Sequence, residues 1–192
     1  MNIIGDKIYI KILFFGTALA GKTTSLQWLF QNLVPEEMKI TDRIRSIKTS
    51  FGQTLLFDFV PIQISNNIII RIYTATGQDY YTSTRKMLFE EVDGVFFVVD
   101  SQKKELEHNR EFVEEFNKYM EKIDELKKAE IIVLYNKQDV AEVYDVEYMS
   151  ASLDLQQYPS YPTCAVSGMN LDRAFTAMIS SLLSKIREMK GN

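Results

Sequence analysis

The chain has 192 residues, 46% hydrophobic and 25% charged, which is the balance of an ordinary soluble globular protein. Lys and Arg number 22 against 26 Asp and Glu, a net charge of −4, which argues against a polymeric nucleic acid as partner but not against a small phosphate ligand held by backbone amides. A lone cysteine, Cys164, rules out an intrachain disulfide and suits a cytoplasmic protein, and no apolar run approaches the roughly 20 residues of a membrane span. The opening residues lack the basic-then-apolar order of a secretory leader, and neither end carries a lipidation signal, so no direct membrane anchor is expected.

Ile8 to Phe15 is a short apolar run rich in β-branched and aromatic residues that ends at Gly16, the pattern of a buried strand. Leu26, Leu29, Phe30 and Leu33 then recur at helical spacing before Pro35. Thr54 to Ile64 and Ile68 to Thr74 read as a hairpin about the turn Ser65-Asn66-Asn67, with Pro61 directing the first arm toward a sheet edge. Val95 to Val99 predicts another buried strand. A helix follows, its inward stripe being Leu106, Phe112, Val113, Phe116, Met120 and Ile123. Ile131 to Tyr135 predicts a strand, Val143 to Leu155 a short helix, Pro162 to Val166 a last strand, and Leu171 to Ile186 a closing helix. Pro35 to Gln53 and Gly77 to about Lys86 are the long, irregular connections. The alternation predicts a single α/β domain over 1–192, with a mostly parallel sheet, helices on both faces, and ligands beyond the carboxyl ends of the strands.

Gly16-Thr17-Ala18-Leu19-Ala20-Gly21-Lys22-Thr23 fits G-x-x-x-x-G-K-S/T between a predicted strand and a predicted helix. Gly16 permits the tight exit from the strand, and Gly21 lets backbone N–H groups approach phosphate oxygens. Lys22 places a cation on the β- and γ-phosphates, and the Thr23 hydroxyl is a hard ligand suited to Mg²⁺. The helix that begins here adds the positive end of its dipole. Asn136-Lys137-Gln138-Asp139 follows directly on a strand. A carboxylate at Asp139 accepts from N1–H and the 2-amino group of guanine but opposes the lone pair at N1 of adenine, so it selects guanine. Asn136 either contacts the base edge or ties neighbouring loops, the stem of Lys137 lies over the ring, and the Ala165 N–H either reaches guanine O6 or belongs to core packing.

Together these elements resemble a small Ras-superfamily GTPase. The strand Thr54-Leu-Leu-Phe-Asp-Phe, the segment Thr74-Ala75-Thr76-Gly77-Gln78 and the stretch from Val92-Asp93-Gly94-Val95 to Ser101-Gln102 resemble its MglA-type branch. The resemblance runs from about Lys11 to the last helix. It implies a three-layer P-loop GTPase fold with a six-stranded, mostly parallel sheet containing one antiparallel strand. It implies GTP and GDP as substrate and product, Mg²⁺ as cofactor, and a Roadblock-type activator as partner. Lys22, Thr54 and Gln78 become the catalytic residues, Gln78 orienting the attacking water. Thr54, with Thr49 as rival, closes with Thr23 on the metal. Nucleotide contacts fall on Gly16, Ala18, Leu19, Ala20, Gly21, Lys22, Thr23, Thr24, Thr54, Gly77, Asn136, Lys137, Asp139 and Ala165.

Three departures qualify that pattern. Thr74 stands where most Ras-like proteins have an Asp supporting Mg²⁺, which predicts weaker metal binding unless Asp100 substitutes; Asp100 reads equally well as a helix cap. Gln53 stands where relatives often carry an internal arginine finger, which leaves Arg43, Arg45 or Arg85 as alternative sources of that charge. Ala18 replaces a common Gly and crowds an arginine entering from a partner. The expected function is a slow GTP-hydrolysing switch. A non-hydrolysing guanine-nucleotide module and an ATPase on the same phosphate loop are the rivals.

Overall fold

The structure, a computed structural model, describes residues 1–46, 57–75 and 82–191. The strands are β1 (Asn2–Ile4), β2 (Lys7–Gly16), β3 (Arg45–Ser46), β4 (Asp58–Ser65), β5 (Ile68–Thr74), β6 (Gly94–Asp100), β7 (Glu130–Asn136) and β8 (Ser160–Pro162). The helices are α1 (Lys22–Asn32), α2 (Thr82–Phe89), α3 (Leu106–Lys122), α4 (Asp124–Lys128), α5 (Val146–Ser152) and α6 (Leu171–Gly191).

The sheet order is β3-β4-β5-β2-β6-β7-β8, with β1 paired to β2 off that path. Strands β5, β2, β6, β7 and β8 run parallel, while β4 is antiparallel to β5. This is the expected architecture, extended by β1 and β3, which at three and two residues are too short to show a sequence period. Pro61 does sit next to the sheet edge, since β3 covers β4 only at Asp58 and Phe59.

The two-residue period of β2 explains the layers. Ile8, Ile10, Ile12 and Phe14 face one core with Leu26, Leu29 and Phe30 of α1 and Phe175, Met178 and Leu182 of α6. Leu13 and Phe15 face the other, with Phe112 and Phe116 of α3 and Phe89 of α2. Strand β6 is divided in the same way, Phe96 and Val98 to the first core and Val95, Phe97 and Val99 to the second. With both faces covered, these strands read as unbroken apolar runs.

The chain leaves β2, reaches β5 on one side of it and later β6 on the other. The carboxyl end of β2 is therefore the point where the winding reverses, the place where open α/β sheets bind ligands. Residues 16–21 occupy it.

Two boundaries differ from the sequence reading. The last strand is Ser160–Pro162, pairing with Val133 to Tyr135, and Thr163 to Val166 form the turn beyond it, with Thr163 N donating to the Tyr135 carbonyl at 2.9 Å. Apolar Cys164, Ala165 and Val166 mimic a strand, but a tight turn closes there, its Gly168 N–H donating to Cys164 O at 2.8 Å. The second irregular connection contains α2, whose Arg85, Leu88 and Phe89 face inward. Thr49, Gln53, Thr54, Gly77, Gln78, Tyr80 and Tyr81 lie outside the described residues.

The turn after β8 is seated on α1 through Gly168. Its φ is +80°, and a Cβ there would lie 1.9 Å from the Trp28 indole. Gly168→Ala is expected to cost about 2–4 kcal/mol, combining backbone strain with overpacking. Urea unfolding followed by circular dichroism measures it, and a loss below about 0.5 kcal/mol would refute the seating.

Candidate functional site

Lys22 opens α1 and folds back over the loop that precedes it. Its Nζ donates to Gly16 O at 2.8 Å and to Thr17 O at 2.5 Å, and the residue is 6% exposed. Burial, and secondarily the positive charge of Arg85, pull its pKa down to about 7, partly offset by Asp58. A cation held this way is short of negative charge, and a phosphate above the loop supplies it. Gly21 is the N-cap of α1 with φ +103°, and a Cβ on it would lie 2.2 Å from Asn136 Nδ2.

Asn136, 1% exposed, ties the loops together. Its Nδ2 donates to Ala20 O at 2.7 Å; its Oδ1 accepts from Ala165 N at 2.9 Å and from the Thr163 hydroxyl at 3.3 Å. Of its two roles, the structure displays loop-tying. The Ala165 N–H, assigned above to guanine O6, points to Asn136 Oδ1 here. Ala20 is buried and takes part through its carbonyl, whereas Ala18, Leu19, Thr23 and Thr24 are exposed.

A cleft of about 270 Å³ is lined jointly by Leu19, Gly21 and Thr24 from the phosphate loop and by Asn136, Lys137, Asp139 and Ala165 from the later loops. More than 110 residues of sequence separate these groups, and the fold makes them one surface. An apolar wall from Leu19 and Val166, a carboxylate at Asp139 and N–H groups around Gly21 suit a purine joined to a phosphate chain.

Beside Thr23 the structure brings in a carboxylate that the sequence reading did not single out. Thr23 Oγ1 donates to Asp58 Oδ2 at 2.6 Å, and Thr74 Oγ1 donates to the same oxygen at 3.0 Å. Asp58 N donates to Thr74 Oγ1 at 3.0 Å, fixing the two strands at this point. The carboxylate that Thr74 lacks is thus delivered by Asp58 from the adjacent antiparallel strand. Asp58 was visible within the Thr54-to-Phe59 segment, but only the β4–β5 register reveals that it meets Thr23. Carboxylate and hydroxyl oxygens are the hard donors Mg²⁺ prefers, so this set fits that ion. Asp100 is not at this place: its Oδ2 lies 2.5 Å from Lys137 Nζ, and its Oδ1 accepts from Gln102 N at 3.1 Å.

Arg85 is 2% exposed and bound bidentately by Glu115, Nε and one terminal nitrogen each at 2.8 Å. Its guanidinium lies 5.2 Å from the Phe112 ring centroid. The Tyr119 hydroxyl donates to the same carboxylate at 2.6 Å, and burial together with Glu115 pushes the phenol pKa up. Arg85 is thus paired with Glu115 of α3 while lying near enough to Lys22 to lower its pKa. Arg43 and Arg45 are exposed. His108 is exposed beside Glu105, and Cys164 is buried. Among the described residues, no His/Cys/Asp/Glu cluster suggests another metal centre, and no helix is long and apolar enough to cross a membrane.

Residues 2–182 match the ADP-ribosylation factor family. The mutual gliding-motility protein MglA of Myxococcus xanthus (strain DK1622) is 30% identical, the alignment covering 98% of this chain and 97% of that protein. The structure of the Arl6 BBS3 small GTPase from Trypanosoma brucei, with bound nucleotide analogue GppNp, superposes with a TM-score of 0.68 at 14% identity, covering 92% of this chain and 99% of that one, a likeness of fold. With the phosphate loop, the purine-reading loop and the family match running over nearly its whole length, the chain belongs to the ADP-ribosylation factor family of small GTPases, in an MglA-like branch.

Proposed function

We propose that this chain is a cytoplasmic molecular switch that binds GTP with Mg²⁺ and hydrolyses it slowly to GDP, its nucleotide state being read by protein partners. The observation that carries this reading is the single cleft formed by the phosphate loop and the Asn136-to-Asp139 loop. The Arl6 structure was solved with GppNp, and the same class of ligand suits this cleft. Cytoplasmic placement rests on the lone cysteine.

In the proposed mechanism, the N–H groups of residues 16–21 and the Lys22 ammonium hold the β- and γ-phosphates, and Asp139 selects guanine. Thr23 and Thr54 would ligate Mg²⁺, with Asp58 orienting the Thr23 hydroxyl by accepting its proton. Bound Mg²⁺ supplies positive charge against the phosphate oxygens. Gln78 orients the water for in-line attack on the γ-phosphorus, and the Gly77 N–H holds a γ-oxygen. Lys22 meets the negative charge that builds on the β–γ bridging oxygen as it leaves. Gln53 in the sequence and the bidentate hold of Glu115 on Arg85 support slow turnover. A partner supplies what is missing, and the MglA match favours a small dimeric activator of the Roadblock type. The rival of a non-hydrolysing module drew on Thr74, Gln53 and Ala18, and the carboxylate of Asp58 beside Thr74 weighs against the first of these.

Two measurements test this. Single-turnover assays are expected to show slow phosphate release from GTP, and competition should favour GTP over ATP by about 100-fold or more. No release with or without cell extract would favour the module, and preference for ATP would defeat the role of Asp139.

The lowered pKa of Lys22 has a definite sign. Above about pH 7 the empty protein loses that proton, and bound phosphates restore it, so nucleotide binding takes up a proton and weakens as pH rises from 7 to 9. Calorimetry in buffers of different ionisation heat reads the uptake. Lys22→Ala should abolish the uptake and cost on the order of 100-fold in affinity. Equal affinity in the variant would remove the phosphate-loop assignment.

Asp58→Asn should reduce Mg²⁺-dependent GDP retention by about 10–100-fold, the worth of a charge-assisted hydrogen bond. The exchange Asp58→Thr with Thr74→Asp should recover part of it. Retention that is indifferent to both changes would show that the carboxylate does not serve the metal.

A further inference from the structure

Lys137 is the residue on which the purine-reading loop turns, and its φ is +69°. A left-handed backbone is unfavourable for a residue with a Cβ and persists only where its surroundings over-determine it. The next residues, Gln138 and Asp139, take their direction from that turn. Asp139 is exposed, so the backbone that carries it decides where its carboxylate points.

What holds the turn is the end of β6. Lys137 Nζ lies 2.5 Å from Asp100 Oδ2, and the Asp100 side chain is 2% exposed. Asp100 is itself fixed from the opposite side. Asn109 of α3 donates to its carbonyl at 2.8 Å and accepts from its N–H at 3.1 Å. Gln102 donates to its Oδ1 through both backbone N–H and side-chain amide, at 3.1 Å each. The neighbouring Ser101 hydroxyl accepts from Gln138 Nε2 at 2.9 Å. A carboxylate so deeply buried needs a cation, and Lys137 is placed to supply it.

We propose that Asp100 is a positioning residue for guanine recognition: through its buried ion pair with Lys137 it holds the left-handed turn that presents Asp139 to the base. The assignment rests on the guanine-nucleotide reading above. Asp100 touches no substrate atom; it acts through Lys137. The ion pair also settles the direction of the Lys137 stem, which runs back toward β6 along the cleft wall. Residues far from the nucleotide, Asn109 on α3 among them, thereby bear on which purine is accepted.

The test compares the wild-type chain with Asp100→Asn, Lys137→Met and the double variant, using fluorescent GDP and, in competition, inosine diphosphate. Inosine lacks the 2-amino group that one oxygen of Asp139 would accept from, so the GDP-to-IDP affinity ratio reports the aim of that carboxylate. Asp100→Asn is expected to speed GDP release about 10–100-fold and to pull the ratio toward one. In the Lys137→Met background the same change should add less than twofold, because the partner is already gone. A merely structural Asp100 would weaken both nucleotides equally, leave the ratio at its wild-type value and multiply the effect of Lys137→Met; that result overturns the proposal. Should Asp100→Asn fail to fold by circular dichroism, Lys137→Met alone decides: a collapsed ratio supports the pair, and an unchanged one refutes it. A wild-type chain that binds neither diphosphate would overturn the guanine-nucleotide reading itself, and this assignment with it.

Discussion

The side-chain amide of Asn136 ties together two stretches of chain that are far apart in sequence. One end donates to Ala20 in the phosphate loop; the other accepts from Ala165 and Thr163 beyond the last strand. The group is buried, so each of these bonds would be costly to lose. Gly21 is what lets the amide come so close, since a Cβ there would collide with it. The loop of residues 16–21 and the loop of residues 136–139 are therefore parts of one assembly: a shift of α1 relative to β7 would disturb both.

Around that assembly, charge is distributed in an unusual way. The strand that in most Ras-like chains would carry a carboxylate carries Thr74, and the carboxylate comes across from β4 as Asp58. Antiparallel pairing makes this possible because it sets Asp58 beside Thr74, where one Asp58 oxygen accepts from the hydroxyls of both Thr74 and Thr23. The site keeps its negative charge but receives it from the strand that follows residues 47–56. The positive side is equally constrained. Lys22 is buried against carbonyls, and Arg85, near enough to lower its pKa, is bound to Glu115.

Much of this was legible in the residues. The phosphate loop and the Asn136-to-Asp139 loop each carry a local signature, and the alternation of apolar runs with amphipathic stretches specifies the layered fold. Contacts set by register were not legible. Asp58 could be read as a strand residue, but nothing local says which of its neighbours it meets. Asp100 could be read as a cap or a metal partner; only the parallel pairing of β6 with β7, which sets Asp100 opposite Asn136, brings Lys137 within reach of it. The last strand was placed too late because Cys164, Ala165 and Val166 are as apolar as a strand, although they form a turn. Helix α2 was missed because its short inward face includes Arg85, a charge that hides its burial.

Trp28, the sole indole in the chain, rests on Gly168, in the turn that carries Ala165 past the purine end of the cleft. An indole's emission responds to the polarity and packing of its surroundings. This chain therefore carries its own optical probe on the turn beyond β8, so a shift of that turn against α1 can be followed in real time without an attached dye.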